Sequence, residues 1–155
     1  MLNIVIPMAG RGSRFAVAGY EMPKPLIDVN GKPMIDRGGK NILTNEPCRF
    51  IFLCLQEHLD KYGLEKHLKD LEPNCEVVPV NEVTEGAACT VLLAEKYIDN
   101  EDPMMIANSD QYVSADINKY IDALGDNDGL IMTMKADDPK WSFIKYDERG
   151  VVTVV

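Results

Sequence analysis

The sequence is short of several things, and each shortage closes off a class of function. No run of 18 apolar residues occurs, so no helix is expected to cross a membrane and no membrane partner is expected. The opening apolar run, Leu2 to Pro7, is too short for a signal-peptide core and has no basic segment before it. The four cysteines, Cys48, Cys54, Cys75 and Cys89, are scattered without a Cys-x-x-Cys pair. Free thiols of a cytoplasmic protein are therefore expected, not a disulfide framework or a thiolate metal site. Only two histidines are present, His58 and His67, both in polar, helix-patterned surroundings. They are expected to be solvated, and no Ser/His or Cys/His constellation marks a nucleophile. Positive charge is also scarce. Sixteen Lys and Arg face 25 Asp and Glu, and the net charge of −9 argues against a nucleic-acid partner.

Two familiar glycine loops are missing as well. No G-x-x-x-x-G-K-[ST] string occurs, and the third position of G-x-G-x-x-G is held by Phe15. What does occur is Met8-Ala9-Gly10-Arg11-Gly12-Ser13-Arg14-Phe15, directly after the apolar run that reads as a buried strand. Gly10 and Gly12 let the backbone turn tightly and present bare N–H groups. Ser13 adds a hydroxyl donor, and Arg14 adds a planar fork that matches two phosphate oxygens. The composition suits capture of a polyphosphate at the carboxyl end of a first strand; a plain glycine-rich surface turn is the competing reading. Charge supports the first. Residues 1–37 hold five Lys and Arg against three Asp and Glu, a balance of +2, whereas the remainder holds 11 against 22, a balance of −11. Ala16 to Met22, with Gly19 and the following Pro23, reads as a long loop. Prolines flank Lys24 and are expected to keep its backbone extended and its side chain aimed at one place.

The rest of the chain alternates. Pro33 opens a helix whose buried face is expected to be Met34, Ile35, Ile42 and Leu43, although Gly38-Gly39 in its middle costs up to about 1 kcal/mol per glycine. Arg49 to Gln56 reads as a strand. Glu57 to Leu71 is helical with a break near Gly63, and Cys75 to Val80 is a strand. A helix over Gly86 to Ile98 precedes a strand over Pro103 to Ala107. This order gives an α/β fold, a Rossmann-like and mostly parallel central sheet flanked by helices, in a single domain over 1–155. Asp110 stands just past the last of these strands, where a carboxylate suits a hard cation; a turn or cap role is the alternative. Asp116 caps a helix over Ile117 to Leu124. Leu130 to Lys135, Trp141 to Tyr146 and Val151 to Val155 read as strands, the last two joined by the turn Asp147 to Gly150.

Three blocks come in a distinctive order: Gly-x-Gly-Ser-Arg-Phe, Pro-Lys-Pro-Leu-Ile, and Gly-Lys-Pro-Met-Ile. Together they resemble the nucleotidyltransferase superfamily of sugar-1-phosphate nucleotidylyltransferases, or nucleoside-diphosphate-sugar pyrophosphorylases. The resemblance implies transfer of a nucleoside monophosphate from a nucleoside triphosphate to a phosphorylated acceptor, a sugar 1-phosphate, with release of pyrophosphate, in the supply of cell-surface polysaccharide precursors. It implies that backbone N–H groups of Ala9, Gly10, Arg11, Gly12 and Ser13 hold phosphates, with Arg14 on the pyrophosphate portion and Lys24 on the α-phosphate. Asp110 would hold Mg²⁺ beside Ser109. Asn81 would read the base, with Gly86 lying against it. Trp141 and Ser142 would begin the acceptor pocket, a core position for Trp141 being equally plausible.

Other readings stay open at this level: a cytidylyltransferase acting on a non-sugar phosphate, a non-catalytic nucleotide-binding domain, and a redox dinucleotide enzyme, the last weakened by Phe15 and Lys24. A homo-oligomer is compatible with all of them. In the family the chain continues past the position of Val155 into a Glu-Lys segment and a second metal-binding aspartate. The apolar VVTVV ending therefore reads as an internal strand, and residues 1–155 are expected to be a C-terminally truncated, weak or inactive catalyst.

Overall fold

A computed structural model describes residues 1–154. The chain falls into two compact units, with the boundary along the chain between Ile121 and Asp122. The first contains strand β1 (Leu2–Met8), helix α1 (Ser13–Val17), α2 (Met34–Asn41), β2 (Cys48–Leu55), α3 (Gln56–Tyr62), α4 (Leu64–Leu71), β3 (Glu76–Val80), α5 (Ala87–Leu92), α6 (Glu95–Ile98) and β4 (Met104–Ile106). Its last helix, α7, runs over Ile117–Asp122.

The four strands form one parallel sheet in the order β3-β2-β1-β4. β1 pairs along its whole length with β2, from Leu2 opposite Cys48 to Met8 opposite Cys54. The alternation of side chains along β1 divides the core in two. Leu2, Ile4, Ile6 and Met8 pack with Ile35 and Ile42 of the α2 region and with Leu64 and Leu68 of α4. Val5 and Ala9 point the other way, toward Val91 and Ala94. A strand covered on both faces must be apolar throughout, which is why β1 and β2 read as unbroken hydrophobic runs. The exception is Asn3, fully buried, whose Oδ1 accepts from Arg49 Nε at 3.1 Å and Nη2 at 2.7 Å.

Several local expectations change. A five-residue helix occupies the start of the stretch expected to be loop. α2 ends at Asn41, so Leu43 lies beyond it and is exposed, because helical periodicity no longer governs its direction. Helix 86–98 is split. Leu93 N–H and Ala94 N–H turn back to Thr90 and Val91 carbonyls, an i→i−3 tightening that ends α5. The histidines are engaged and not simply solvated. His58 is buried, and His67 Nε2 sits 2.6 Å from Asp36 Oδ1.

The second unit holds an antiparallel hairpin of β5 (Lys145–Tyr146) and β6 (Val152–Val154) around the expected turn. Asp147 Oδ1 accepts from the Arg149 and Val151 N–H groups, which fixes that turn. Leu130 to Lys135 is not a strand. Apolar composition favours a strand but does not form one, since a strand exists only through a paired ladder.

Candidate active site

The strand order places a reversal of direction between β1 and β4. From β1 the chain moves outward through β2 to β3, then returns to the opposite side of β1 for β4. Loops leaving the carboxyl ends of β1 and β4 therefore diverge and leave a crevice between them, the position where open α/β sheets take ligands. A cleft of about 650 Å³ lies there. Its walls come from three segments: Pro7 to Tyr20 after β1, Lys24-Pro25, and Asn108-Ser109-Asp110 after β4.

The first two segments fit together at Gly12. Its φ of 60° is left-handed, a conformation that favours glycine. A Cβ there would also stand 3.2 Å from Lys24 Cβ. The absence of a side chain lets the lysine pass against the loop. Gly10 and Arg11 donate no backbone hydrogen bond among the described residues, so their N–H groups remain available. Arg11 and Arg14 are exposed and have no ion-pair partner among the described residues. Phe15, in the position where a dinucleotide loop carries glycine, stands edge-on to Tyr20 with ring centroids 5.7 Å apart. Its ring lies 6.0 Å from Lys24 Nζ.

Lys24 begins a one-turn 3₁₀ helix, Lys24–Leu26, so its backbone is not extended as the flanking prolines suggest. Pro23 is extended, and the turn closes through Leu26 N–H to Pro23 O at 2.8 Å. The result still aims the side chain. Lys24 Nζ reaches Asp110 Oδ2 at 2.6 Å across the cleft, with both side chains about one-third exposed. Ser109 beside it is buried. Two charges of opposite sign are thus held at the crevice, each still accessible to solvent.

The donor set fits a hard cation held mainly by its ligand. Asp110 offers carboxylate oxygens, and no group of three or more His, Cys, Asp or Glu suited to a metal occurs among the described residues. One carboxylate with phosphate oxygens and waters is an arrangement that Mg²⁺ accepts.

Asn81 and Gly86 do not line this cleft. Asn81 follows β3 on the same carboxyl edge, two strands from β1, and is exposed. A Cβ on Gly86 would meet nothing within 4 Å, and its φ of −174° suits any residue. Thr84 and Thr90 hydroxyls both bond the Gly86 carbonyl, at 3.0 and 3.2 Å, and so fix the start of α5. Trp141 and Ser142 belong to the second unit. There Trp141 is half exposed, with Lys140 Nζ 5.2 Å from its ring. Asn108 opens the strand-end block Asn108-Ser109-Asp110-Gln111 that carries Asp110, whereas Tyr20, also on the wall, belongs to no motif.

A model described as nucleotidyl transferase matches residues 4–154. Among solved structures, HddC from Yersinia pseudotuberculosis complexed with GMP-PN is 25% identical, with a TM-score of 0.76 over 99% of this chain and 68% of that one. A nucleoside-diphosphate-sugar pyrophosphorylase from Vibrio cholerae RC9 is also 25% identical, with a TM-score of 0.58 over 74% of this chain and 51% of that one. The inositol-1-phosphate CTP transferase from T. maritima shares the fold at 23% identity, with a TM-score of 0.59 over 70% of this chain and 43% of that one. The chain thus spans about half the length of these last two proteins. No curated protein matches it.

Proposed function

This chain belongs to the nucleotidyl transferase family, and from that premise we propose that it transfers a nucleoside monophosphate from a nucleoside triphosphate to a phosphorylated acceptor, a sugar 1-phosphate, releasing pyrophosphate. The observation that carries the reading is the Lys24–Asp110 pair, 2.6 Å apart across the crevice at the strand-order reversal.

In the proposed reaction an acceptor phosphate oxygen attacks the α-phosphorus, and the bond to the bridging oxygen of the pyrophosphate breaks. No covalent intermediate with the protein is required. The protein must align two anions that repel each other and stabilise charge that grows on the α-phosphate and the leaving group. Backbone N–H groups from Ala9 to Ser13 would hold the β- and γ-phosphates. Arg14, with no ion-pair partner among the described residues, would clamp the pyrophosphate portion bidentately. Lys24 would leave Asp110 for the α-phosphate and the incoming oxygen. The freed Asp110 carboxylate, beside Ser109, would then be a ligand for Mg²⁺. When bound with the triphosphate, Mg²⁺ supplies charge neutralisation and fixes phosphate geometry. The exchange costs little, because a partly exposed ion pair contributes only about 0–1 kcal/mol.

Asn81 and Gly86 would contribute to base recognition, and Trp141 with Ser142 to the acceptor pocket. Precursors of cell-surface polysaccharide are the proposed destination of the product. The chain spans about half the length of two of the relatives it resembles, and residues 1–155 are proposed to carry the nucleotide half of the site.

The test is pyrophosphate release by the intact protein with Mg²⁺, a panel of ATP, GTP, CTP, UTP and dTTP, and a panel of sugar 1-phosphates. GTP comes first in the panel because the HddC structure is a GMP-PN complex. One triphosphate and one acceptor should together give release at least tenfold above any other pair. Absence of release with every pair, in a protein that binds triphosphate, would leave a binding domain in place of an enzyme.

A further inference from the structure

The pair Gly38-Gly39 in the middle of α2 weakens that helix, and the structure separates the two residues sharply. A Cβ on Gly39 would meet only Leu71 Cδ2, at an ordinary 3.6 Å. A Cβ on Gly38 would stand 3.2 Å from the Ser109 carbonyl oxygen and 3.5 Å from that of Gln111. Gly38 is therefore where the backbone of the Asp110 loop rests directly on the helix. One turn further along α2, Asn41 grips the same loop. Its Nδ2 donates to Val113 O at 2.8 Å, and its Oδ1 accepts from Val113 N–H at 2.7 Å. At its other end the loop is tied to β1, where Ala107 N–H donates to Val5 O at 3.0 Å.

We propose that α2 is the positioning element for Asp110, with Gly38 setting how closely the carboxylate-bearing loop approaches the helix and Asn41 locking its far end. The inference rests on the proposed role of Asp110 in holding Mg²⁺. Residues 107 and 113 are both pinned, and Ser109 between them is buried. A Cβ at position 38 presses on the Ser109 carbonyl, and with both ends of the loop held the segment between them gives by a few tenths of an ångström away from the helix. Asp110 and its 2.6 Å contact with Lys24 move with that segment. The carboxylate is then displaced from the place where the phosphates would present the metal, while the β1 loop that holds the phosphates stays where it is.

The experiment compares Gly38→Ala with Gly39→Ala in the intact protein. Both substitutions change glycine to alanine at adjacent buried positions of one helix, so helix propensity rises equally in both. Two readouts are taken: crystal structures of both variants, and the Mg²⁺ concentration giving half-maximal pyrophosphate release at saturating triphosphate. Gly39→Ala should keep the Lys24–Asp110 contact and the wild-type Mg²⁺ requirement within twofold. Gly38→Ala should lengthen that contact and raise the Mg²⁺ requirement fivefold or more, while KM for the triphosphate changes less than twofold. Asn41→Asp retains the acceptor for Val113 N–H but loses the donor, and should fall between wild type and Asn41→Leu. If Gly38→Ala leaves the contact at its wild-type length, or lengthens it without altering the Mg²⁺ requirement, the positioning role is overturned. If the wild type itself releases no pyrophosphate, the proposed function fails instead. The crystal structures then decide whether α2 sets the position of Asp110, an unmoved carboxylate in Gly38→Ala refuting it.

Discussion

At the scale of single residues, the cleft is defined by what its charges would exchange. Lys24→Ala should lower turnover by two or more orders of magnitude while the melting temperature stays within a few degrees, because it removes charge from the transition state and only a partly exposed ion pair from the fold. Turnover within threefold of wild type would assign the α-phosphate to another cation. Asp110→Asn should abolish Mg²⁺-dependent turnover and leave metal-free triphosphate binding measurable by calorimetry, since Lys24 is then released from its partner. A different residue contributes a pH response near neutrality. His58 is buried, its Nδ1 has no hydrogen-bond partner among the described residues, and burial pushes its imidazole pKa below the usual value, with Glu57 pulling the other way. The unfolded chain therefore takes up this proton first as pH falls. Stability is full above the ordinary histidine pKa of about 6.5 and declines below it, by at most about 1.4 kcal/mol per pH unit. Urea denaturation of His58→Phe, which keeps an aromatic ring against Tyr62, should show a smaller loss between pH 7.5 and 5.5 than wild type. Equal losses would show that His58 does not carry the effect.

At the scale of elements, α2 does two tasks from successive positions, i and i+3, along one side of the helix. Ile35 is fully buried against the even-numbered residues of β1, while Gly38 and Asn41 meet the loop after β4. Ile35→Ala should cost about 2–5 kcal/mol in chemical denaturation, as deletion of a core side chain leaves a cavity. A loss under 1 kcal/mol would mean that the helix can close on the gap. Asp116 accepts from Asn118 N–H at 3.0 Å and so caps α7, and Asp116→Ala should cost about 1 kcal/mol. These elements were legible in different degrees. The breaks at Gly63 and the cap at Asp116 follow from local chemistry that acts over one turn. The exposure of Leu43 and the lack of a strand at 130–135 do not. Each depends on whether a neighbour is present, and hydrophobicity within a segment carries no information about its neighbours.

At the scale of the whole molecule, a chain of net charge −9 sets two basic side chains, Arg14 and Lys24, on the walls of one crevice. Such a net charge repels free polyphosphate in general, and Arg14 and Lys24 offset that repulsion locally at the crevice. A matching triphosphate with Mg²⁺ at about 100 times its dissociation constant should stabilise the fold by about 2.7 kcal/mol. A thermal-shift screen of the five triphosphates should single out one, and equal shifts from all five would show that phosphates alone are recognised. The sequence by itself determined the α/β class, the apolar strands and the glycine-containing loop after the first of them. These follow from side-chain period, from glycine and proline geometry, and from motifs whose order survives in the chain. Only the tertiary structure decided that the loops after β1 and β4 face each other, that Lys24 meets Asp110, and that Gly38 is empty so that the Asp110 loop can rest on α2. Those facts depend on the strand order β3-β2-β1-β4, which brings residues up to about a hundred positions apart to one edge. Local patterns cannot encode such contacts, because the free energy that selects them comes from burial shared by segments far apart in the chain.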